Sequence, residues 1–387
     1  MNILAVLYLI GMLSVLIFGM AYIILIQIYT QAWKKQPEQV TTQNNHPFIY
    51  VIIPFRNEKD NIINLLQALQ NQNYPTDCYE VIAVNDHSTD GTPEIIKEKF
   101  TSFSNFRLLH SLNEGKKAAL KFGILDSKGG LIATTDADCI PGNNWLEAIA
   151  SSFMPGKTAM LAGPVKMTGN NTFFSRFQAM EFMALQMCGA GAIFANQAVF
   201  CSGANLMFSK NYWLNVQDEI EGKNIASGDD VFLLHALKKQ KKKIVFIKNK
   251  DAIVTTKTEK NFRDFLKQRV RWGGKSLNYK DGDTIFLAIV VALINLAFMI
   301  TLPLLLSIIL FDFISFFTWL SYLTSFSAFF FLKISNDYIL LKEGAKFYDT
   351  KISIPEFLLF SFIYPFYLVV AAFGSLFFKS GWKGRVA

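Results

Sequence analysis

The chain has 387 residues, a formal net charge of +8 and a hydrophobic fraction of 51%. Its four cysteines (Cys78, Cys139, Cys188, Cys201) form no Cys-x-x-Cys pair and no His-Cys ligand spacing, which argues against zinc or disulfides. No G-x-x-x-x-G-K-[ST] run occurs, so phosphate-loop nucleotide hydrolysis is excluded, and the Lys238–Lys243 cluster lacks the interleaved aromatics of a nucleic-acid site.

Ile3 to Ile28 is apolar apart from a few Ser, Tyr and Gln, long enough to cross a hydrocarbon core. It outruns a signal-peptide core of ~7–15 residues, follows no basic segment and precedes no small-residue cleavage site. A retained anchor over residues 1–30 is expected. Trp33, Lys34 and Lys35 follow it, so the positive-inside rule places the next segment in the cytoplasm. Gln36 to His46 reads as a polar linker, and residues 47–283 have a length suited to one α/β domain. Net positive charge suits a domain lying against an anionic leaflet, and equally suits phosphorylated substrates.

Ile49 to Ile53 is a buried strand ended by Pro54, and Asn61 to Leu69 carries a helical apolar stripe. Val81 to Val84 is the next strand, with Pro93 opening a helix. Phe106 to Leu109 is a third strand, Lys116 to Leu125 a helix after Gly115, and Leu131 to Thr135 a fourth strand. Alternation of this kind predicts a doubly wound parallel sheet, in which ligands bind beyond the carboxyl ends of the strands. Asn57/Glu58, Asp86 and Asp136/Asp138 all fall at such ends.

Each acidic motif has two readings. Asp86 can accept a hydrogen bond from a base N–H, or belong to the turn chemistry of Ser88 to Thr92. Asp136 and Asp138 stand at i and i+2 on one side of an extended chain, where a divalent cation carrying diphosphate oxygens would partner them. The plain alternative is a solvated turn before Pro141. Gly115 and Lys116 open a helix whose amides and lysine can meet a phosphate, or can simply be solvated. Asp229 and Asp230 either favour a helix dipole or supply a general base to an acceptor hydroxyl.

Gln268, Arg271 and Trp272 lie at i, i+3 and i+4, one face of a helix. Arg271 can neutralise a departing diphosphate, and Trp272 offers a flat face to a sugar ring. The same stretch, with Phe262, Phe265 and Arg269, also reads as an amphipathic helix at a membrane interface. Three apolar blocks follow within residues 284–387: Ile285 to Phe311, Phe313 to Leu332, and Ile354 to Phe378. Only Asp312 separates the first two, which reads as a tight helical hairpin. The last block contains Pro365, and a full crossing would place Lys379, Lys383 and Arg385 outside, so a span and a re-entrant segment both stay open.

Taken in order, PFRNE (54–58), NDHSTDGT (85–92), TDAD (135–138), SGANLMF (202–208), GDD (228–230) and QRVRW (268–272) resemble the motifs of family-2, GT-A-type membrane glycosyltransferases. That group includes chitin, hyaluronan and poly-N-acetylglucosamine synthases and ceramide glucosyltransferases. The resemblance covers Phe48 to Lys275 and the anchor-domain-helices layout. It implies a Rossmann-like, mostly parallel GT-A domain with one N-terminal and about three C-terminal membrane helices. It also implies an inverting enzyme that moves a sugar from a nucleotide-sugar donor, a UDP-sugar, using Mg²⁺ or Mn²⁺. By similarity Asp86 holds the uracil, Asp136 the ribose and Asp138 the metal, with Glu58, Lys116 and Arg271 also on the donor side. Cys201, Ser202 and Gly203 border the acceptor, and Asp230 is the base beside Asp229. Gln268 and Trp272 close over diphosphate and acceptor. The chain departs from the family pattern at Asn85 and Asp229, where the family usually shows an Asp and a Glu, but both motifs keep the second carboxylate.

The expected setting is the cytoplasmic face of the inner membrane, with a lipid, lipid-linked or glycan acceptor, partner subunits for export or polymerisation, and no nucleic acid. Three or four membrane segments favour transfer onto a lipid-linked acceptor over solitary extrusion. A processive synthase subunit and a non-catalytic nucleotide-sugar-binding scaffold are the alternatives. A transporter would need polar residues inside its spans and a repeated helical unit, and Asp312 and Glu356 sit at segment ends.

Overall fold

The computed structural model describes residues 3–42, 46–222, 228–311 and 316–377. Strands β1 (Ile49–Phe55), β2 (Tyr79–Asn85), β3 (Phe106–His110) and β4 (Leu131–Thr134) run parallel in the order β3-β2-β1-β4. Helices α2 (Ile62–Gln70), α3 (Thr92–Lys99) and α4 (Lys116–Asp126) connect them. Every residue of β1 is buried, as expected for a strand covered on both faces. The strand does not stop at Pro54 but continues to Phe55. Its pairing with β4 has already ended at Ile52↔Thr134, so the missing proline N–H removes no bond on that side. Gly123 lets α4 lie directly on the sheet, because a Cβ there would fall 2.7 Å from Ile52 and 2.9 Å from Val84.

Beyond β4 the sheet changes direction. After β5 (Cys139–Pro141), α5 (Trp145–Ser152), β6 (Thr158–Ala162), β7 (Val165–Thr168) and α6 (Phe173–Phe194), strand β8 (Leu206–Ser209) inserts antiparallel between β4 and β6. Helices α7 (Lys210–Val216) and α8 (Asp229–Lys239) lead to β9 (Lys243–Phe246), which pairs parallel with β6. The seven-stranded order is β3-β2-β1-β4-β8-β6-β9. Then β10 (Val254–Lys257) joins β5 and β7 in a separate three-stranded sheet, ahead of α9 (Phe262–Ser276). The mostly parallel expectation therefore holds for the main sheet, in which only β8 runs antiparallel to its neighbours.

Four long helices complete the chain: α1 (Ile3–Lys35), α10 (Gly282–Phe311), α11 (Phe316–Phe347) and α12 (Ile354–Phe377). Three segments among the described residues are long and apolar enough to cross a membrane, Leu16–Lys35, Gly282–Thr301 and Ile354–Phe377. Two of these segments belong to the expected C-terminal blocks, and the block from Phe313 to Leu332 begins outside the described residues and continues in α11. The hairpin at Asp312, residues 43–45 of the linker, and Lys379, Lys383 and Arg385 lie outside the described residues.

The helices are tied to the sheet domain at defined points. Trp33 is buried rather than placed at an interface, edge-on to Phe246 and Phe347, with Lys248 Nζ 4.4 Å over its ring. Lys248 also donates to the Trp33 and Gln36 carbonyls at 2.9 and 2.6 Å, which clips the end of α1 onto the domain. Gly191 brings α6 against α1, since a Cβ there would lie 2.6 Å from the Tyr29 carbonyl oxygen. Arg176 and Glu356 join α6 to α12 by a bidentate pair, with the shortest contact at 2.6 Å.

Candidate active site

A cleft of about 580 Å³ opens beyond the carboxyl end of β4. The turn after β4 contributes Asp136 and Asp138, and the start of α4 contributes Lys116 and Lys117. Ser202 and Gly203 enter from the loop before β8, Asp229 and Asp230 from the first turn of α8. Helix α9 supplies Gln268, Arg271, Trp272 and Lys275. Ten of the thirteen residues singled out in the sequence therefore meet in one space.

Glu58, Asp86 and Cys201 stand back from that lining. Asp86 is fully buried, and its Oδ1 accepts the Gly115 amide at 2.9 Å with His87 Nδ1 at 3.3 Å. It thereby holds the amide of the residue immediately before Lys116. Arg56 Nη1 donates to the carbonyls of both Asp86 and His87 at 3.0 Å, and His87 adopts φ 53°, so the whole turn is held. Asn85 Oδ1 accepts the Ser88 amide, and Asp90 accepts the Thr92 amide and hydroxyl, which makes Ser88 to Thr92 structural. Glu58 Oε2 accepts Asn61 Nδ2 at 2.9 Å beside α2. Cys201 is buried among core residues, where burial first and Asp230 second push its thiol well above the ordinary value.

Lys116 Nζ donates to Asp136 Oδ1 at 2.5 Å. Burial opposes the lysine charge, but Asp136 together with Asp229 and Asp230 outweighs it and holds the group above its usual range. Asp138 opens to the cleft but is surrounded by protein. That crowding first, then the carboxylates of Asp136 and Glu58, raise it above the carboxylate range, with Lys116 only partly opposing. An excess of negative charge on the cleft floor is what a divalent cation would relieve. Among the described residues no group of three or more His, Cys, Asp and Glu side chains forms a ready cage. A cation held by Asp138 with Asp136 alongside would draw its other ligands from a bound diphosphate, so the residues fit a substrate-completed site.

Asp230 sits in a different environment. Its Oδ2 accepts the Gly203 amide at 2.9 Å, its Oδ1 accepts the Val231 amide at 2.8 Å, and Lys275 Nζ lies 3.6 Å from Oδ1. Burial pushes this carboxyl up, but Lys275, the two amides and Lys116 outweigh it and hold it below the usual range. Asp229 is raised, by burial first, although Lys117 stands 3.6 Å away. Two adjacent carboxyls are thus driven in opposite directions. Lys275 was not anticipated, although it lies four residues beyond Arg271 on the same helical face.

Gln268, Arg271 and Trp272 face the cleft, while Phe265 and Arg269 are buried against the helices. Burial lowers the Arg271 pKa, with Asp136, Asp138, Glu259 and Asp230 working to keep it charged. Arg269 is not an interfacial cation. Its guanidinium pairs with Glu181 of α6 at 2.5 and 3.2 Å and lies 4.2 Å over the Trp272 ring.

Residues 50–213 match the family model described as Glycosyl transferase family 2. The chain carries a glycosyl transferase family 2 domain. Glycosyltransferase AglE of Haloferax volcanii is 36% identical over 142 residues, which cover 36% of this chain and 47% of that protein. A Methanococcus voltae dolichyl N-acetyl-alpha-D-glucosaminyl phosphate 3-beta-D-2,3-diacetamido-2,3-dideoxy-beta-D-glucuronosyltransferase is 26% identical over 252 residues, covering 61% and 75%. The chain spans less than half the length of AglE. The mannosyltransferase PcManGT of Pyrobaculum calidifontis, solved with GDP-Man and Mn²⁺, superposes with a TM-score of 0.60 at 17% identity over 95% of this chain and 99% of that one. Its likeness establishes that the family 2 domain has the GT-A fold. The family-model match ends at residue 213, so Asp229, Asp230 and the α9 stripe lie beyond it.

Proposed function

We propose that this protein is an inverting glycosyltransferase that moves a sugar from a nucleotide-sugar donor, a UDP-sugar, to a lipid or lipid-linked acceptor at the cytoplasmic face of the inner membrane. The domains would be an anchor over 1–30, a catalytic domain over 47–283 and membrane helices over 284–387. The observation that carries this reading is the convergence of Asp136, Asp138, Asp230, Lys116 and Arg271 on one cleft. One cleft wall, α9, is packed directly on the apolar helix α12, where a Cβ at Gly374 would lie 2.8 Å from Val270.

Asp230 accepts the proton of the acceptor hydroxyl as the oxygen bonds to the anomeric carbon. The bond from that carbon to the diphosphate breaks, and its electron pair leaves on the diphosphate oxygen. A carboxylate held below its usual pKa is a weak base but is fully ionised, and the hydroxyl becomes acidic only as the new bond forms. Lys116 and Arg271 stabilise the charge growing on the leaving group. A divalent cation at Asp138, when bound, supplies further neutralisation of the diphosphate. Asp86, through Gly115, holds the start of α4 in place for this task.

The test is to incubate the purified full-length protein with labelled UDP- and GDP-sugars and membrane lipids. Label entering a lipid fraction supports the reading. Tight nucleotide-sugar binding without any transfer would identify the chain as a binding scaffold instead.

A further inference from the structure

Arg269 lies beside the cleft without lining it, yet it is the most tightly held cation on α9. It is buried at 5% exposure, and a buried guanidinium that lost its partner would be strongly unfavourable. Nε and Nη2 meet the two oxygens of Glu181 at 3.2 and 2.5 Å, a fork that only a planar guanidinium makes. The guanidinium also lies over two rings of its own helix, Phe265 at 4.5 Å and Trp272 at 4.2 Å. Nη1 also donates to Gln268 Oε1, and Gln268 Nε2 donates in turn to Glu259 Oε1 at 2.9 Å. Trp272 is held on another side by Phe182, with ring centroids 5.9 Å apart.

The clamp reaches the membrane helices. Tyr367 of α12 donates to Glu181 Oε1 at 3.4 Å, so the carboxylate that fixes Arg269 is itself tied to an apolar span. Close packing runs alongside it, since a Cβ at Gly273 would lie 3.0 Å from Ser375. Gln268 and Trp272 are therefore both set by one guanidinium whose anchor lies on α6 and α12.

We propose that Arg269 is a positioning residue: through Glu181 and Tyr367 it fixes the Trp272 ring and the Gln268 amide at the cleft wall, so that the membrane helices set the acceptor-facing side of the site. The acceptor part of this statement rests on the transferase reading above, while the positioning part does not.

The experiment uses the full-length protein in lipid nanodiscs with Arg269→Lys, Glu181→Gln and Tyr367→Phe variants. Trp272 emission is isolated as the difference between each protein and its Trp272→Phe counterpart, because the chain holds six tryptophans. In Arg269→Lys this emission shifts and gains acrylamide quenching, since lysine keeps the charge but neither the fork nor the stack. Glu181→Gln and Tyr367→Phe give smaller shifts in the same direction. In transfer assays, kcat/KM for the acceptor falls by about 10- to 100-fold in Arg269→Lys, as small misplacements of a bound group do, while donor affinity stays within about 3-fold. Unaltered Trp272 emission in Arg269→Lys overturns the proposal whatever the activity. So does an effect confined to donor affinity, or full activity with lysine. An emission shift in a wild-type background that moves no label counts against the transferase reading and leaves the positioning role standing.

Discussion

The Gly203 amide donates to Asp230 Oδ2 at 2.9 Å, joining the first turn of α8 to the loop before β8. A Cβ at residue 203 would lie 3.6 Å from that oxygen, an ordinary contact. If that geometry serves proton removal, Asp230→Asn keeps the size but removes the base, and its single acceptor oxygen retains only one of the bonds from the Gly203 and Val231 amides. The expected result is a loss of about 10²–10⁴-fold in kcat with donor affinity changed by less than about 3-fold. Single-turnover transfer and nucleotide titration on the same preparation check it, and near wild-type turnover would remove Asp230 from the role.

The pH behaviour of Asp230 should follow Lys275. The carboxyl is held below its ordinary value of 3.8, so the base stays ionised through the neutral range and the acid limb of kcat/KM set by this group lies lower still. A depressed carboxyl contributes stability that is present above its unfolded pKa and lost as pH falls through the folded one. Burial alone pushes Asp230 upward, and Lys275 is the largest influence opposing it. Lys275→Met should therefore move the acid limb toward neutral pH and shift the onset of acid unfolding in the same direction. A pH–rate profile for the two proteins, with circular dichroism at each pH, reads both effects. An acid limb that stays put in the variant would show that the amides alone set the base.

Much of this site was legible in the sequence because its signals are local. The strand-to-helix alternation of β1 to β4 placed Asp136 and Asp138 at a strand end, and i, i+3, i+4 spacing put Gln268, Arg271 and Trp272 on one face. What escaped depends on long-range pairing. Strand β8 has four residues and inserts antiparallel next to a strand more than seventy positions earlier, which no periodicity records. Sheet β5-β10-β7 is built from three short strands, one of them only Cys139–Pro141. Arg269 looked interfacial because its partner Glu181 is 88 residues away. Cys201 sits between cleft residues in sequence, but its side chain turns into the core while Ser202 and Gly203 face the cleft.

Divalent cations should be required, and Asp138 should be the residue that makes them so. Chelation of the full-length protein is expected to reduce transfer by about 10²-fold or more, comparable to losing one charge-stabilising group, with recovery on adding Mn²⁺ or Mg²⁺. Asp138→Asn should not recover at ion concentrations that restore the parent protein. Donor binding followed by thermal shift, with and without the ion, separates lost donor affinity from lost chemistry. Undiminished transfer in excess chelator would dismiss the cation.

Two glycines at helix crossings should fail in opposite ways. At Gly191 an added Cβ meets the Tyr29 carbonyl oxygen at 2.6 Å, and a backbone atom cannot rotate aside. Alanine there must push α1 from α6, an overpacking expected to cost about 1–3 kcal/mol. At Gly374 the obstacle is the Val270 Cγ2 methyl at 2.8 Å on a β-branched side chain with little rotamer freedom, so α9 itself must yield, while an internal helical glycine gives back up to ~1 kcal/mol on replacement by alanine. Gly374→Ala should therefore change the melting temperature little. Its displacement, however, falls on α9 one residue before Arg271, so transfer per folded molecule should drop. Gly191→Ala should show the reverse, a lower melting temperature with near-normal turnover below it, because α1 contributes nothing to the cleft lining. Melting curves in detergent and initial rates normalised to folded protein read the contrast directly. Equal losses of stability and rate in both variants would mean that α9 is not set by its contact with α12.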